Sequence, residues 1–283
     1  MNLSDVKTIK NVLTRHGFNF SKSLGQNFLI NPEVCPKMAE ECGAKSGAGV
    51  LEVGPGIGVL TAELAKRADK VVSVELDKRL LPVLNETLSD FSNIKIVNAD
   101  ILKVNIKELI QNEFGNMEVE VCANLPYYIT SPVIMRFLEE RLPINSLTVM
   151  VQKEAAERLC AAPGNRECGA VSAAVQYYAQ PQILFDVNRT SFMPQPNVDS
   201  AVIKLNVRKE PPVKVKSEKD FFRVIKASFA KRRKTILNSL SSTLGIEKSV
   251  ISSALEKAEI PQNYRAEQLT MEQFASLTNK IFG

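Results

Sequence analysis

The chain is poor in the residues that most often hold metals or build nucleophilic triads. His16 is its only histidine, so His-based metal cages and Ser-His-Asp machinery have no second imidazole to draw on. The five cysteines, Cys35, Cys42, Cys122, Cys160 and Cys168, form an odd set with no Cys-x-x-Cys pair. That argues against a disulfide framework and a structural zinc site, and no metal is expected. No apolar run approaches the length of a membrane span, and the stretch from Met1 to Lys7 lacks the apolar core of a signal peptide. A cytoplasmic, membrane-free monomer is the expectation. Two phosphate-binding signatures are missing as well: there is no Gly-Lys-Ser/Thr, and Gly54-x-Gly56-x-Gly58 lacks the spacing Gly-x-Gly-x-x-Gly of a dinucleotide cradle.

What is present reads as an ordinary globular chain. With 283 residues, 45% hydrophobic and 24% charged, it has room for a large domain and a small one. Residues 2–17 have helical spacing with Gly17 as a stop. A polar loop from Lys22 to Ile30 follows, either a lid or a connector, and Asn31 and Pro32 are placed to open a second helix as N-cap and first residue. From Val50 onward strands and helices alternate. Strands at 50–53, 71–75, 94–97 and 118–123, separated by helices at 59–68, 77–88 and 105–112, predict a parallel, doubly wound sheet covered on both faces. Strands at 147–151, 183–187 and 201–207 bring the number to seven, with helices at 133–141, 154–159 and 171–178. Arg208 to Pro212 reads as a linker. Beyond it four helices, at 221–230, 236–244, 248–258 and 271–281, predict a division into domains 1–208 and 209–283.

Candidate functional residues fall where strands end, the place where open α/β sheets bind ligands. Gly54 and Gly56 let backbone approach a ligand after the first strand, and Glu52 is expected to bring a carboxylate near it. Glu75 ends the second strand and can accept from a ribose diol; Asp100 follows the third and can accept from an amine. After the fourth comes Asn124-Leu125-Pro126-Tyr127, in which Pro126 stops the strand and leaves a polar amide beside an aromatic ring. Any of these acids alone is more often a helix cap or a solvated loop residue, and an aromatic is more often core. A crowded run of cations, Lys231-Arg232-Arg233-Lys234, is as a bare pattern a solvated helix face.

Taken in order, the Leu51 to Gly58 turn, Glu75, Asp100 and Asn124 to Tyr127 resemble the motif series of S-adenosylmethionine-dependent N6-adenine methyltransferases. With Gly25 to Leu29, Gln152-Lys153-Glu154, Pro163-Gly164, Phe192-x-Pro194-x-Pro196-x-Val198-x-Ser200 and Arg232-Arg233-Lys234 added, the chain closely resembles the bacterial small-subunit (16S) ribosomal RNA adenine dimethyltransferases nearly end to end. One departure is Cys168, which stands where relatives usually carry an aromatic. The resemblance implies an α/β, doubly wound seven-stranded methyltransferase (Rossmann-like) sheet with a small all-helical C-terminal domain. It implies S-adenosyl-L-methionine as methyl donor, contacted by Asn27, Leu29, Gly54, Glu75, Asp100 and Asn124, and the small ribosomal subunit with its 16S rRNA as partner. Asn124 and the Leu125 carbonyl would accept the N6 hydrogens of a target adenine, Pro126 would hold the turn, and Tyr127 and Phe192 would stack on the base. Lys22 and the run from Lys231 to Lys234 would contact RNA phosphates. The nearest rival is a large-subunit rRNA adenine methyltransferase of the macrolide-resistance type; a chiefly non-catalytic RNA-binding assembly factor is the alternative from another class.

Overall fold

Asp5 starts the first helix, α1 (Val6–Arg15), its carboxylate accepting from the backbone N–H and hydroxyl of Thr8 at 2.9 and 2.8 Å. The computed structural model describes residues 1, 3–18 and 26–283. After α1 come β1 (Phe28–Leu29) and α2 (Val34–Glu41). Asn31 does not cap α2 as expected. Its Oδ1 accepts from the Glu33 N–H at 3.0 Å, closing a turn around Pro32 that delays the helix to Val34.

The alternating region then runs β2 (Ala48–Val53), α3 (Val59–Ala65), β3 (Lys70–Glu75), α4 (Leu81–Thr87), β4 (Ile94–Asn98), α5 (Ile106–Phe114) and β5 (Glu118–Asn124). It continues with α6 (Thr130–Glu139), β6 (Ser146–Gln152), α7 (Lys153–Cys160), α8 (Ala170–Tyr178), β7 (Ala179–Val187), β8 (Phe192–Met193) and β9 (Ser200–Val207). Two expected helices are shorter. α3 stops at Ala65, where the Asn93 amide donates to the carbonyls of Ala65 and Ala68 at 2.9 Å each and takes the place of further helical bonds. The segment before α4 is a 3-10 turn, Lys78–Leu80, capped by Asp77.

The seven long strands form one sheet in the order β4-β3-β2-β5-β6-β9-β7. Strands β2 to β6 pair in parallel, but β9 runs antiparallel to β6, so the sheet is mixed rather than wholly parallel. The chain leaves β2 toward β3 and β4 on one side, then returns to lay β5 and β6 on the other. The strand order therefore reverses between β2 and β5, where a crevice opens at the carboxyl ends. Every residue of β2 is buried. Met38 and Ala39 of α2 and Leu64 of α3 pack with Val50, Cys122 and Met150 of the sheet, while Ile9 and Val12 of α1 join Val83 and Leu84 of α4 in a second cluster. One pairing was not anticipated: β1 and β8 make a two-stranded antiparallel ribbon with Leu29 opposite Phe192.

The last helices are α9 (Glu218–Phe229), α10 (Ile236–Leu244), α11 (Lys248–Lys257) and α12 (Met271–Phe282). Ser217, Thr235 and Thr270 cap α9, α10 and α12. The packing corrects the expected single cut at residue 208. One compact unit comprises Met1–Ala156 with Gln182–Val207; the other comprises Glu157–Pro181 with Arg208–Gly283. The reason lies in α8, whose Tyr177 and Tyr178 pack their rings against Phe221 and Phe222 of α9 at centroid distances of 5.1 to 5.2 Å. The Tyr178 hydroxyl also donates to Glu218 at 2.7 Å. Cys168, which stands where relatives usually carry an aromatic, is fully buried in this second unit.

Candidate active site

Strands β4, β3, β2 and β5 are neighbours, so the residues that follow their carboxyl ends share one side of the sheet. Asp100, Glu75, Gly54 and Asn124 occur in that spatial order and line a cleft of about 260 Å³. Asn27 and Leu29, on the segment entering α2, and Tyr127 complete its walls. The glycine turn needs its glycines. Gly56 has φ of +60°, and a Cβ there would meet the Phe28 ring at 3.3 Å; Gly58 has φ of +90°, and a Cβ would lie 2.9 Å from Leu88. The Gly54 N–H donates to the Val74 carbonyl at 3.0 Å, tying the turn to β3.

The acids differ in their electrostatics. Burial pushes the Glu75 carboxyl up to about 7, opposed by the backbone N–H groups of Asp77 and Gly56 and reinforced by the Asp77 carboxylate. The Asp77 N–H donates to Glu75 Oε1 at 2.7 Å. Asp77 itself is held below the usual carboxylate range by Arg79, with a further bond from Gln26 at 2.9 Å. Asp100 accepts from the Leu102 N–H at 2.9 Å through Oδ1, and its Oδ2 lies 3.4 Å from Lys103 Nζ.

Asn124 closes β5, paired along the backbone with Met150. Its side-chain amide has no hydrogen-bond partner among the described residues. Leu125 is buried, and Pro126 leads into a single 3-10 turn, Tyr127–Ile129. The Tyr127 hydroxyl hydrogen-bonds Ser200 Oγ at 2.9 Å, which fixes the ring against the cleft; burial raises its pKa. Tyr128 beside it is 58% exposed.

Some of the expected site residues do not line the cleft. Glu52 does not reach the cleft: fully buried beneath the glycine turn, its Oε2 accepts from Thr61 at 2.7 Å and Ser73 at 2.6 Å, while Oε1 has no partner among the described residues. Phe192 does not line the cleft either. Paired with Leu29 in the ribbon, it is buried in the core cluster that holds Cys35 and Val187. Lys231, Arg232, Arg233 and Lys234 are all exposed, but they form the turn between α9 and α10 rather than a helical face. Lys22 lies outside the described residues, as does Gly25 of the motif that contains Asn27. The cleft also uses Leu76, Ile101 and Leu102, which sequence reading passed over. Their signal was available: each follows a strand-end acid by one or two positions, where an apolar residue can line the cleft.

The arrangement offers two carboxylates spaced along strand ends, a backbone that can be approached closely, an unengaged amide and a fixed aromatic ring. Such a set suits a ligand with a diol and an amine at one end and an amino-substituted base at the other. The ribosomal RNA adenine dimethylase family matches residues 17–282. A ribosomal RNA small subunit methyltransferase A from Geobacillus sp. (strain WCH70) is 50% identical over 276 residues, covering 96% of this chain and 95% of that protein. The crystal structure of a dimethyladenosine transferase from Plasmodium falciparum aligns with a TM-score of 0.73 at 26% identity, over 88% of this chain and 95% of that one. That of the 23S rRNA methyltransferase ErmE aligns at 0.69 and 28%, over 90% and 100%. With the match running through sheet and helical unit alike, this chain belongs to the ribosomal RNA adenine dimethylase family.

Proposed function

We propose that the protein uses S-adenosyl-L-methionine to dimethylate the N6 amines of two adjacent adenosines in the 3′-terminal hairpin loop of 16S rRNA, in the cytoplasm and late in small-subunit assembly. The observation that carries this reading is the unengaged Asn124 amide, standing beside Tyr127 in the same cleft as Glu75 and Asp100. The 50% identity to a small-subunit enzyme, against 28% to ErmE, favours the small subunit over the large.

The residues fit the cofactor. Glu75 would hold its ribose, Asp100 its adenine amine, and Asn27, Leu29 and the Gly54 and Gly56 backbone would enclose the rest. When bound, S-adenosyl-L-methionine supplies an electrophilic methyl group on a sulfonium. The protein's work is on the other reactant. An adenine N6 lone pair is delocalised into the ring; Asn124 Oδ1 and the Leu125 carbonyl, by accepting both N6 hydrogens, favour a pyramidal nitrogen with its lone pair localised. Tyr127 holds the ring by stacking, an interaction contributing about 1 to 3 kcal/mol, which offsets part of the cost of unstacking the base. An amide is sufficient because the proton leaves only after the nitrogen has become cationic. The exposed cations of the α9 to α10 turn bind RNA phosphates.

Asn124→Ala should lower methyl transfer by about 10²- to 10³-fold while leaving some cofactor binding. The assay supplies labelled cofactor with undermethylated small subunits, large-subunit RNA or duplex DNA and looks for N6,N6-dimethyladenosine. Normal turnover by the variant, or product only on the large-subunit RNA, defeats the reading.

A further inference from the structure

Asp100 opens a tight turn. The N–H groups of Lys103 and Val104 both donate to its carbonyl at 2.9 Å, and the Leu102 N–H donates to its side chain. A turn closed inward in this way directs its other carbonyls outward. Two of them, Ile101 O and Val104 O, are met at 2.7 Å each by the two terminal nitrogens of Arg136. The remaining guanidinium nitrogen, Nε, donates to Glu140 Oε1 at 2.7 Å one helical turn further along α6. All three nitrogens are therefore engaged, and the Arg136 side chain is only 20% exposed.

The location gives this clamp its meaning. Asp100, Ile101 and Leu102 form the wall of the cleft at the end of β4, whereas Tyr127 to Ile129, which lead directly into α6, form the wall at the end of β5. β3 and β2 lie between them, so the two walls stand about 14 Å apart at the usual strand spacing and share no backbone bonds. Arg136 ties one to the other. A planar fork can grip two carbonyls at once, and a lysine, a point charge on a flexible stem, cannot reproduce that geometry.

We propose that Arg136 is a positioning residue that holds the Ile101 to Val104 turn in register with the acceptor loop, so that Asp100 can read an adenine amine. The proposal rests on the reading of Asp100 as acceptor for that amine. Its test compares the binding of S-adenosylhomocysteine and S-inosylhomocysteine, in which a carbonyl and an N1 hydrogen replace the adenine amine and the N1 acceptor, to the full chain by calorimetry. The wild-type protein prefers the adenine compound. Arg136→Ala shrinks that preference by about tenfold, the worth of one well-made hydrogen bond to a charged group, and Arg136→Lys shrinks it less. A role in stability alone would weaken both ligands equally and leave the ratio intact. Preference that survives Arg136→Ala in a folded protein overturns the proposal, and if that variant does not fold, an unchanged ratio in Arg136→Lys overturns it. Wild-type indifference to the amine refutes the reading of Asp100, and the proposal with it.

Discussion

At the scale of single residues, Glu52 shows how a carboxylate can belong to a site without touching it. Burial pushes it up to about 7, the Ser73 and Thr61 hydroxyls oppose that, and the Glu75 charge adds to it. Both folded-state values stand above the unfolded carboxylate value, so the native protein binds more protons than the unfolded chain between about pH 4.5 and 7. Stability contributed by neutral Glu52 is present in full below that window and is lost as pH rises through 7. Glu52→Gln keeps the shape and removes the titration. Its melting temperature should fall less than that of the wild type between pH 5 and 8, as scanning calorimetry would register; parallel curves would show that Glu52 is ionised throughout. Sequence reading placed Glu52 at the ligand because it lies two positions before Gly54, but a strand side chain points across the sheet and this one points at Thr61 and Ser73. Gly54, Glu75, Asp100 and Asn124 were legible because strand ends are positions that a linear pattern fixes. Arg136 was not, since its partners lie 32 and 35 residues away and depend on how α6 crosses the sheet.

At the scale of elements, most were visible as alternating and helical periods, and the errors lie where side chains rather than periods decide. Asn93 ends α3 and Asn31 delays α2, each through hydrogen bonds to backbone that no propensity encodes. The two-residue strands β1 and β8 are too short to carry a period at all. The α9 to α10 turn is the element with the plainest chemistry. Its four cations are exposed and stand in no ion pair among the described residues, and the turn closes with the Lys234 N–H donating to the Lys231 carbonyl at 2.8 Å. Changing all four to alanine should weaken RNA binding steeply and flatten the dependence of log K on log salt by about 0.7 to 0.9 for each phosphate that is no longer neutralised. Titrations of a 16S rRNA fragment at several salt concentrations measure that slope; an unchanged slope would move the RNA-binding surface elsewhere.

At the scale of the whole molecule, α8 belongs with the C-terminal helices although it precedes two strands of the sheet, because its paired tyrosines find their aromatic partners on α9. Composition alone placed the boundary at the proline-rich linker and could not see that exchange. The β1 to β8 ribbon has a consequence for timing. β2 finds β3 about twenty residues downstream, but the segment before α2 is fastened by residues 160 positions away: the Ile30 N–H donates to the Ser191 carbonyl at 2.9 Å and the Asn31 amide to the Ser191 hydroxyl. At roughly 5 to 20 residues per second of synthesis, that fastening waits on the order of ten seconds after its first half has emerged. Pulse-labelled amide exchange on stalled nascent chains should find β2 protected while Ile30 still exchanges freely, and early protection of Ile30 would contradict this order. A ribosome making this protein thus releases the closing edge of the cleft only when two-thirds of the chain already exists, so an unfinished copy has the parallel strands but not the mouth.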